Sequence, residues 1–122
     1  MIWWLTGNTG AGKTTLAKKM ADSRTVILDG NDMRDVWDDW DLTKEGRTKQ
    51  GLRTARLAKV LESQGHPVIV AVICPYEELR KTVKEICNCQ FIYLPYGKES
   101  SDLCPYEVPV QPDFVYRRHG DK

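Results

Sequence analysis

The feature that most constrains the fold is the run from Gly7 to Thr14, which reads Gly-x4-Gly-Lys-Thr. It follows the apolar residues 2–5 and precedes a helix-like run at residues 15–20. This order of strand, glycine-rich loop and helix is typical of a phosphate-binding loop. Glycines let successive backbone N–H groups point at phosphate oxygens, and the helix dipole adds positive potential. The run therefore predicts an α/β fold that binds a nucleotide.

Each residue of the loop has a predicted task. Lys13 would reach the β- and γ-phosphates as a point charge, so it is a candidate catalytic residue as well as a nucleotide ligand. The Thr14 hydroxyl would ligate Mg²⁺. The predicted cofactors are therefore ATP and Mg²⁺. The predicted nucleotide-binding residues are Gly7, Asn8, Thr9, Gly10, Ala11, Gly12, Lys13, Thr14 and Thr15.

Composition narrows the class of protein. The 122 residues are enough for one domain with a modest core, and we predict a single domain, built around the phosphate-binding loop, over residues 1–122. The net charge of +1 gives no general field toward nucleic acid or an acidic membrane. No stretch is long and apolar enough for a membrane span, and Met1 lies almost directly before a predicted strand. A cytoplasmic protein without a membrane partner is expected.

The four cysteines are Cys74, Cys87, Cys89 and Cys104. A zinc site would have to use Cys87, Cys89 and Cys104, but Cys-x-Cys is not the usual zinc spacing. We expect reduced thiols with structural roles.

The hydrophobic pattern predicts strands that alternate with helices. Strands are predicted at residues 2–5, 25–28, 68–73 and 90–94, with an edge strand at 114–116, and helices at 14–22, 43–64 and 76–86. Prolines interrupt residues 95–112, and the tail at 117–119 is expected to fray. This pattern predicts a P-loop NTPase-like, doubly wound, mostly parallel sheet of four to five strands with helices on both faces.

The second cluster of interest is the segment Leu28-Asp29-Gly30-Asn31-Asp32-Met33-Arg34. Asp29 follows a predicted strand, and ligands of open α/β sheets bind at the carboxyl ends of the strands. Beside a triphosphate, Asp29 could accept a proton from an attacking hydroxyl or orient Mg²⁺ through a water molecule. Arg34 could hold an anionic acceptor. The alternative is that Asp29 and Asp32 only cap the next helix.

Together these segments resemble the adenylylsulfate kinase (APS kinase) family. The similarity continues beyond the loop and Leu28-Asp29-Gly30 through Arg34, Arg47 in an Asp-Arg position, Ile73-Cys74-Pro75-Tyr76 with Arg80, and Pro105-Tyr106-Glu107 with Pro109. The resemblance implies phosphoryl transfer from ATP to a hydroxyl group of adenylylsulfate. It implies the substrate-binding residues Asp29, Arg34, Arg47, Gln50, Arg53, Pro75 and Tyr76, and the metal-binding residues Thr14 and, through water, Asp29.

The chain departs from the family on the acceptor side. The family reads Asp-Gly-Asp-Asn where this chain has Asp29-Gly30-Asn31-Asp32, and Gln50 replaces an asparagine. Leu52 replaces the first of two arginines, and Val72 replaces an aromatic residue. Only residues 95–104 stand in place of a long basic lid. The nucleotide half is thus intact, whereas the acceptor half is altered.

The short lid also resembles phage-type APS-kinase-like proteins, some of which phosphorylate a hydroxymethyl pyrimidine in DNA. DNA is therefore an alternative acceptor, with Trp37 and Trp40 available to stack on a base, although core or interface packing is expected for both. A nucleotide-binding module without turnover is a third hypothesis. A GTPase is disfavoured because no Asn-Lys-x-Asp motif is present. The tryptophans also make a homodimer plausible.

Overall fold

The computed structural model describes residues 1–120. Its strands are β1 (Ile2–Thr6), β2 (Val26–Asp29), β3 (Val68–Ala71), β4 (Gln90–Tyr93) and β5 (Phe114–Val115). Its helices are α1 (Lys13–Met20), α2 (Gly30–Trp37), α3 (Lys44–Ser63) and α4 (Glu77–Cys87). The predicted edge strand β5 is confirmed, and β3 ends two residues earlier than predicted, at Ala71.

The five strands form one sheet in the order β2-β3-β1-β4-β5, and every neighbouring pair is parallel. Strand β1 is central, with Trp4 level with Val70 of β3 and with Phe91 of β4. The connections that follow β1 and β3 run in opposite directions along the sheet. The carboxyl ends of β1 and β3 therefore form a topological switch point, where ligands of such sheets bind.

Core residues cover both faces of the sheet, which confirms the predicted doubly wound architecture. In β3, Val68 and Val70 point to the face covered by α3 and α4, whereas Ile69 and Ala71 point to the face of α1. This alternation follows from the two-residue period of a strand, and both faces are apolar because both are covered.

Helix α3 follows the predicted pattern. The Thr43 hydroxyl caps its first turn by accepting from the Gly46 N–H at 3.2 Å. Thr54 and Ala58 are buried, while Leu57 and Leu61 pack at the edge of the same core. The helix is followed by Gly65 at a φ of 91°, a conformation that favours glycine. Sequence periodicity therefore located both the ends and the buried face of α3.

Residues 95–113 contain neither helix nor strand, as the prolines predicted, but the segment is firmly anchored. The Tyr106 hydroxyl lies 2.9 Å from Thr6 Oγ1, and the Glu107 N–H donates to the Pro75 carbonyl at 2.7 Å. Arg80 Nη2 donates to the Glu107 carbonyl, and the guanidinium lies over the Tyr106 ring. The Pro-Tyr-Glu segment thus fastens a long connection to the end of the sheet.

Trp37 and Trp40 do not belong to the core, since 38% and 56% of their surface is exposed, and packing at an interface stays a prediction for both. One expectation was wrong. Arg118 does not lie in a frayed tail, because it contacts the phosphate loop as described below.

All four cysteines are free thiols; Cys74, Cys87 and Cys89 are buried and Cys104 is half-buried. Within residues 1–120, none of the helices has the length and apolar character required to span a membrane.

Candidate active site

The phosphate loop connects the end of β1 to the start of α1. Gly10 and Gly12 have φ angles of 83° and 95°, which turn their N–H groups in a way that other residues rarely permit. A Cβ atom at Gly7 would lie 2.8 Å from the Leu94 carbonyl oxygen, so only glycine fits there. The Lys13 amine curls over the loop and donates to the Gly7 and Asn8 carbonyls at 2.8 and 3.2 Å.

Burial changes the acidity of Lys13. It lowers the pKa of the amine from 10.5 to about 8, while the negative charge of Asp29 acts in the opposite direction. A polyphosphate beside the amine would stabilise its charged form. An anionic ligand beside Lys13 would therefore offset the effect of burial on the amine.

Thr14 and Asp29 connect the loop to the neighbouring strand β2. The Thr14 hydroxyl donates to Asp29 Oδ2 at 2.8 Å. The other carboxylate oxygen, Oδ1, accepts from the N–H groups of Asn31 and Asp32 at 2.9 and 3.3 Å and caps helix α2. Asp29 can therefore cap helix α2 and contact the phosphate loop at the same time, because Oδ1 accepts from the helix and Oδ2 accepts from Thr14.

The same two residues fit a magnesium ion. A hydroxyl and a carboxylate are hard oxygen ligands, and Mg²⁺ in nucleotide sites usually takes one or two such ligands together with phosphate oxygens and water. Their 2.8 Å contact places both oxygens beside the loop. Among residues 1–120 there is no group of three or more histidine, cysteine or acidic side chains that could hold a metal ion by themselves.

A cavity of about 350 Å³ opens in front of the loop. It is bounded by the loop, by the start of α2, by α3 and by the segment after β3. Its lining includes Thr9, Gly10, Lys13, Thr14, Asp29, Gly30, Asn31, Arg34, Leu42, Arg47, Gln50, Val72, Ile73, Cys74, Pro75, Leu103 and Cys104. The structure therefore brings four of the predicted nucleotide-binding residues (Thr9, Gly10, Lys13 and Thr14) and several predicted acceptor residues to one space.

Two arginines give the far wall of the cavity a positive charge. Arg47 is buried, and its guanidinium donates to the Leu42 carbonyl at 2.8 Å and to the Leu103 carbonyl at 3.3 Å. Arg34 donates to the Asp41 carbonyl at 3.4 Å. Burial and the charge of Arg47 hold the pKa of Arg34 below its ordinary value. Two guanidinium groups that raise each other's potential favour an anion between them.

The remaining predicted acceptor residues divide into two groups. Gln50 and Pro75 line the cavity, and Gln50 Nε2 donates to the Gly30 carbonyl at 3.0 Å. Arg53 does not line it, because its guanidinium pairs with Asp39 at 2.9 Å and lies over Trp37. Tyr76 is buried outside the cavity, beneath the Lys44 amine. Thr15, which was predicted to bind the nucleotide, is exposed on the first turn of α1 and does not line the cavity.

Sequence reasoning missed a structural role of Asn8. Its side chain is buried, and Nδ2 donates to the carbonyls of Lys98 and Cys104, each at 3.0 Å. The Lys98 N–H donates in turn to the Thr9 carbonyl at 2.9 Å. The 95–104 segment is therefore fixed to the phosphate loop and supplies Leu103 and Cys104 to the cavity wall. No local pattern links these residues, since they lie 90 or more positions apart.

Arg118 was also missed. Its Nη2 lies 3.4 Å from the Ala11 carbonyl, and its guanidinium lies over the Tyr96 ring at 4.0 Å from the centroid. The backbone N–H of Arg118 donates to the Tyr96 hydroxyl at 2.7 Å. The Arg-Arg pair in the sequence was the available signal, but its position beyond the last strand suggested a free end.

A second cavity, of about 360 Å³, lies between α4 and residues 109–112. Arg80 lines it, but the guanidinium donates to Glu77 and to the carbonyls of Cys74 and Glu107. The phosphate loop does not line this cavity. The first cavity is therefore the candidate active site.

A sequence model of the family described as adenylylsulphate kinase matches residues 1–104. A cytidine diphosphoramidate kinase of Campylobacter jejuni is 33% identical over 100 residues, which cover 76% of this chain and 59% of the relative. An adenylyl-sulfate kinase of Paraburkholderia xenovorans is 38% identical over 98 residues, which cover 75% and 55%. The chain thus spans little more than half the length of these relatives.

Among solved structures, the hexameric APS kinase from Thiobacillus denitrificans superimposes with a TM-score of 0.78. It is 26% identical to this chain, and the match covers 98% of this chain and 25% of that one. The phosphate loop and the five-stranded parallel sheet lie within the matched part. The fold predicted from the sequence is therefore one that a solved kinase also has.

Proposed function

This chain belongs to the adenylylsulphate kinase family, and from that premise we propose that it transfers the γ-phosphoryl group of ATP to a hydroxyl group of an anionic nucleotide. Adenylylsulfate is the first candidate acceptor. The observation that carries the proposal is the single cavity that the phosphate loop shares with Asp29, Arg34 and Arg47. A donor site alone would indicate only nucleotide binding, whereas transfer also requires an acceptor site beside it.

On the donor side, the loop N–H groups and the Lys13 amine would hold the β- and γ-phosphates. Thr14, and Asp29 through a water molecule, would hold Mg²⁺, which when bound neutralises charge on the phosphates. Phosphoryl transfer depends mainly on positioning and charge neutralisation. Asp29 lines the cavity from the end of β2, and its Oδ2, which accepts from the Thr14 hydroxyl, would accept the proton of the acceptor hydroxyl.

On the acceptor side, Arg34 and Arg47 would bind the acidic groups of the nucleotide, with Gln50 and Pro75 completing the wall. The curated relatives include kinases named for an adenosine and for a cytidine nucleotide. The nucleotides in these two names share an acidic group and differ in the base. This supports an arginine pair that selects an acidic nucleotide while the rest of the wall selects the base. Val72, where the family has an aromatic residue, lies on that wall.

A cytoplasmic location is part of the proposal, because ATP would be the donor and all four cysteines are free thiols. Phosphorylation of hydroxymethyl pyrimidine in DNA stays a prediction that rests on the shortened lid. Oligomeric state also stays a prediction; the hexamer is a property of the Thiobacillus relative.

The decisive experiment measures transfer of label from [γ-³²P]ATP to adenylylsulfate, with hydroxymethyluracil-containing DNA in a parallel reaction. We expect label in adenylylsulfate, and none with the Lys13→Ala variant. Label in DNA alone would select the alternative acceptor. Slow ATP hydrolysis at one rate with and without each acceptor would contradict the kinase proposal and favour a binding module without turnover.

A further inference from the structure

The two sides of the phosphate loop differ in what they offer a ligand. Strands β2 and β3 lie on one side of β1 and end at the acceptor cavity, whereas β4 and β5 lie on the other side. A donor whose terminal phosphate faces the acceptor must extend its nucleoside away from the cavity, since a triphosphate is a chain with the nucleoside at its far end. The nucleoside is thus directed toward the segments that follow β4 and β5.

Tyr96 and Arg118 meet at that place. Tyr96 follows β4, and Arg118 follows β5. The guanidinium carbon of Arg118 lies 4.0 Å from the centroid of the Tyr96 ring, and its Nη2 lies 3.4 Å from the Ala11 carbonyl. A Cβ atom at Gly12 would lie 3.6 Å from the same Nη2. The guanidinium therefore lies beside the last turn of the phosphate loop.

The contacts of Arg118 also fix its orientation. Its backbone N–H donates to the Tyr96 hydroxyl at 2.7 Å, while its side chain lies over the same ring. A guanidinium held in this way loses little freedom when it binds a second planar group. Arg118 as a whole is exposed to solvent, so a planar group can reach it.

We propose that the Arg118 guanidinium, held on the Tyr96 ring, is the surface on which the base of the donor nucleotide stacks. The inference rests on the proposed function, since it presupposes that a nucleoside triphosphate occupies the loop. Every nucleobase has a π-face, and stacking on arginine does not read the edges of the base. The surface therefore binds adenine and guanine with similar strength.

The test compares the binding of MgATP, MgGTP and magnesium tripolyphosphate by isothermal titration calorimetry. Tripolyphosphate fills the loop but carries no base. We expect Arg118→Ala to weaken ATP and GTP by about five- to tenfold and to leave tripolyphosphate unchanged. Arg118→Lys keeps the positive charge but lacks the planar guanidinium, so it should weaken ATP binding nearly as much as Arg118→Ala does. Arg117→Ala, an exposed neighbour, is the matched control and should bind ATP like the parent chain.

Two results would overturn the inference while the proposed function survives. One is ATP affinity in Arg118→Ala equal to that of the parent chain. The other is an equal loss for ATP and tripolyphosphate, which would make Arg118 a phosphate ligand. If the parent chain does not bind ATP, the proposed function fails and this inference fails with it. A thermal melt of each variant confirms that the fold is intact.

Discussion

The Thr14 hydroxyl donates to Asp29 Oδ2 at 2.8 Å, and this bond joins the phosphate loop to the cap of helix α2. The first residue ends the loop and the second ends strand β2. The carboxylate that we propose as proton acceptor and, through water, as magnesium ligand thus has a structural task for its other oxygen.

Replacing Asp29 separates these tasks. Asparagine caps helices about as well as aspartate, so Asp29→Asn should lower the free energy of unfolding by no more than about 1 kcal/mol. Transfer should fall by about 10²- to 10⁴-fold, because the amide is a poor proton acceptor and metal ligand. Steady-state kinetics and thermal melts measure the two effects. Asp32→Asn, on the exposed first turn of α2, is the control; near-normal turnover in Asp29→Asn would remove Asp29 from the chemistry.

Lys13 predicts a pH dependence of ATP binding. Because burial holds the pKa of the free amine at about 8, the amine is charged below that pH and neutral above it. ATP favours the charged form, so binding above pH 8 requires uptake of about one proton. Affinity should fall by up to tenfold for each pH unit above 8, while it changes little between pH 7 and 7.5. Calorimetry in buffers of different ionisation enthalpy measures the uptake; a flat profile to pH 9.5 would contradict it.

The arginines provide a matched set of substitutions. Arg34→Gln removes a guanidinium that lines the cavity, whereas Arg53→Gln removes one that pairs with Asp39 outside it. The first should raise the acceptor KM by about ten- to a hundredfold, the range for a lost charged hydrogen bond. The second should leave KM within about twofold. The reverse order of effects would restore Arg53 to the acceptor site and exclude Arg34.

Asn8 should control the mobility of the 95–104 segment. Asn8→Ala leaves the Lys98 and Cys104 carbonyls without their shared donor, which should destabilise the fold by about 1–3 kcal/mol. Trypsin should then cleave after Lys98 faster than in the parent chain. Asn31→Ala, at an exposed position, is the control. Equal cleavage rates would show that the remaining contacts suffice to hold the segment.

Cys104 allows acceptor binding to be followed without activity. It is half-buried on the cavity wall, whereas the other three thiols are buried, and burial raises the pKa of Cys74 to about 12. We expect a thiol reagent such as DTNB to modify one cysteine rapidly in the folded protein, and none in Cys104→Ser. Adenylylsulfate at saturation should slow that reaction. Unchanged reactivity would mean that the acceptor does not reach this wall.

Much of the fold could be read from the chain because it depends on local patterns. The glycines of the loop, the apolar strands and the Thr43 cap each act within a few residues. The parallel sheet, the helices on both faces and the position of Lys13 and Thr14 at the end of the loop were therefore predictable. The position of Asp29 at a strand end was predictable for the same reason.

Tertiary structure alone decided which other residues share the site. Arg47 and Arg53 lie on one helix and looked equivalent in the sequence, but α3 turns the first into the cavity and the second toward Asp39. Asn8 and Arg118 reach partners 90 or more residues away. Local propensities encode no such pairing, because it arises only when the sheet brings distant loops to one edge. The sequence determined the phosphate loop, and the packing determined what faces it.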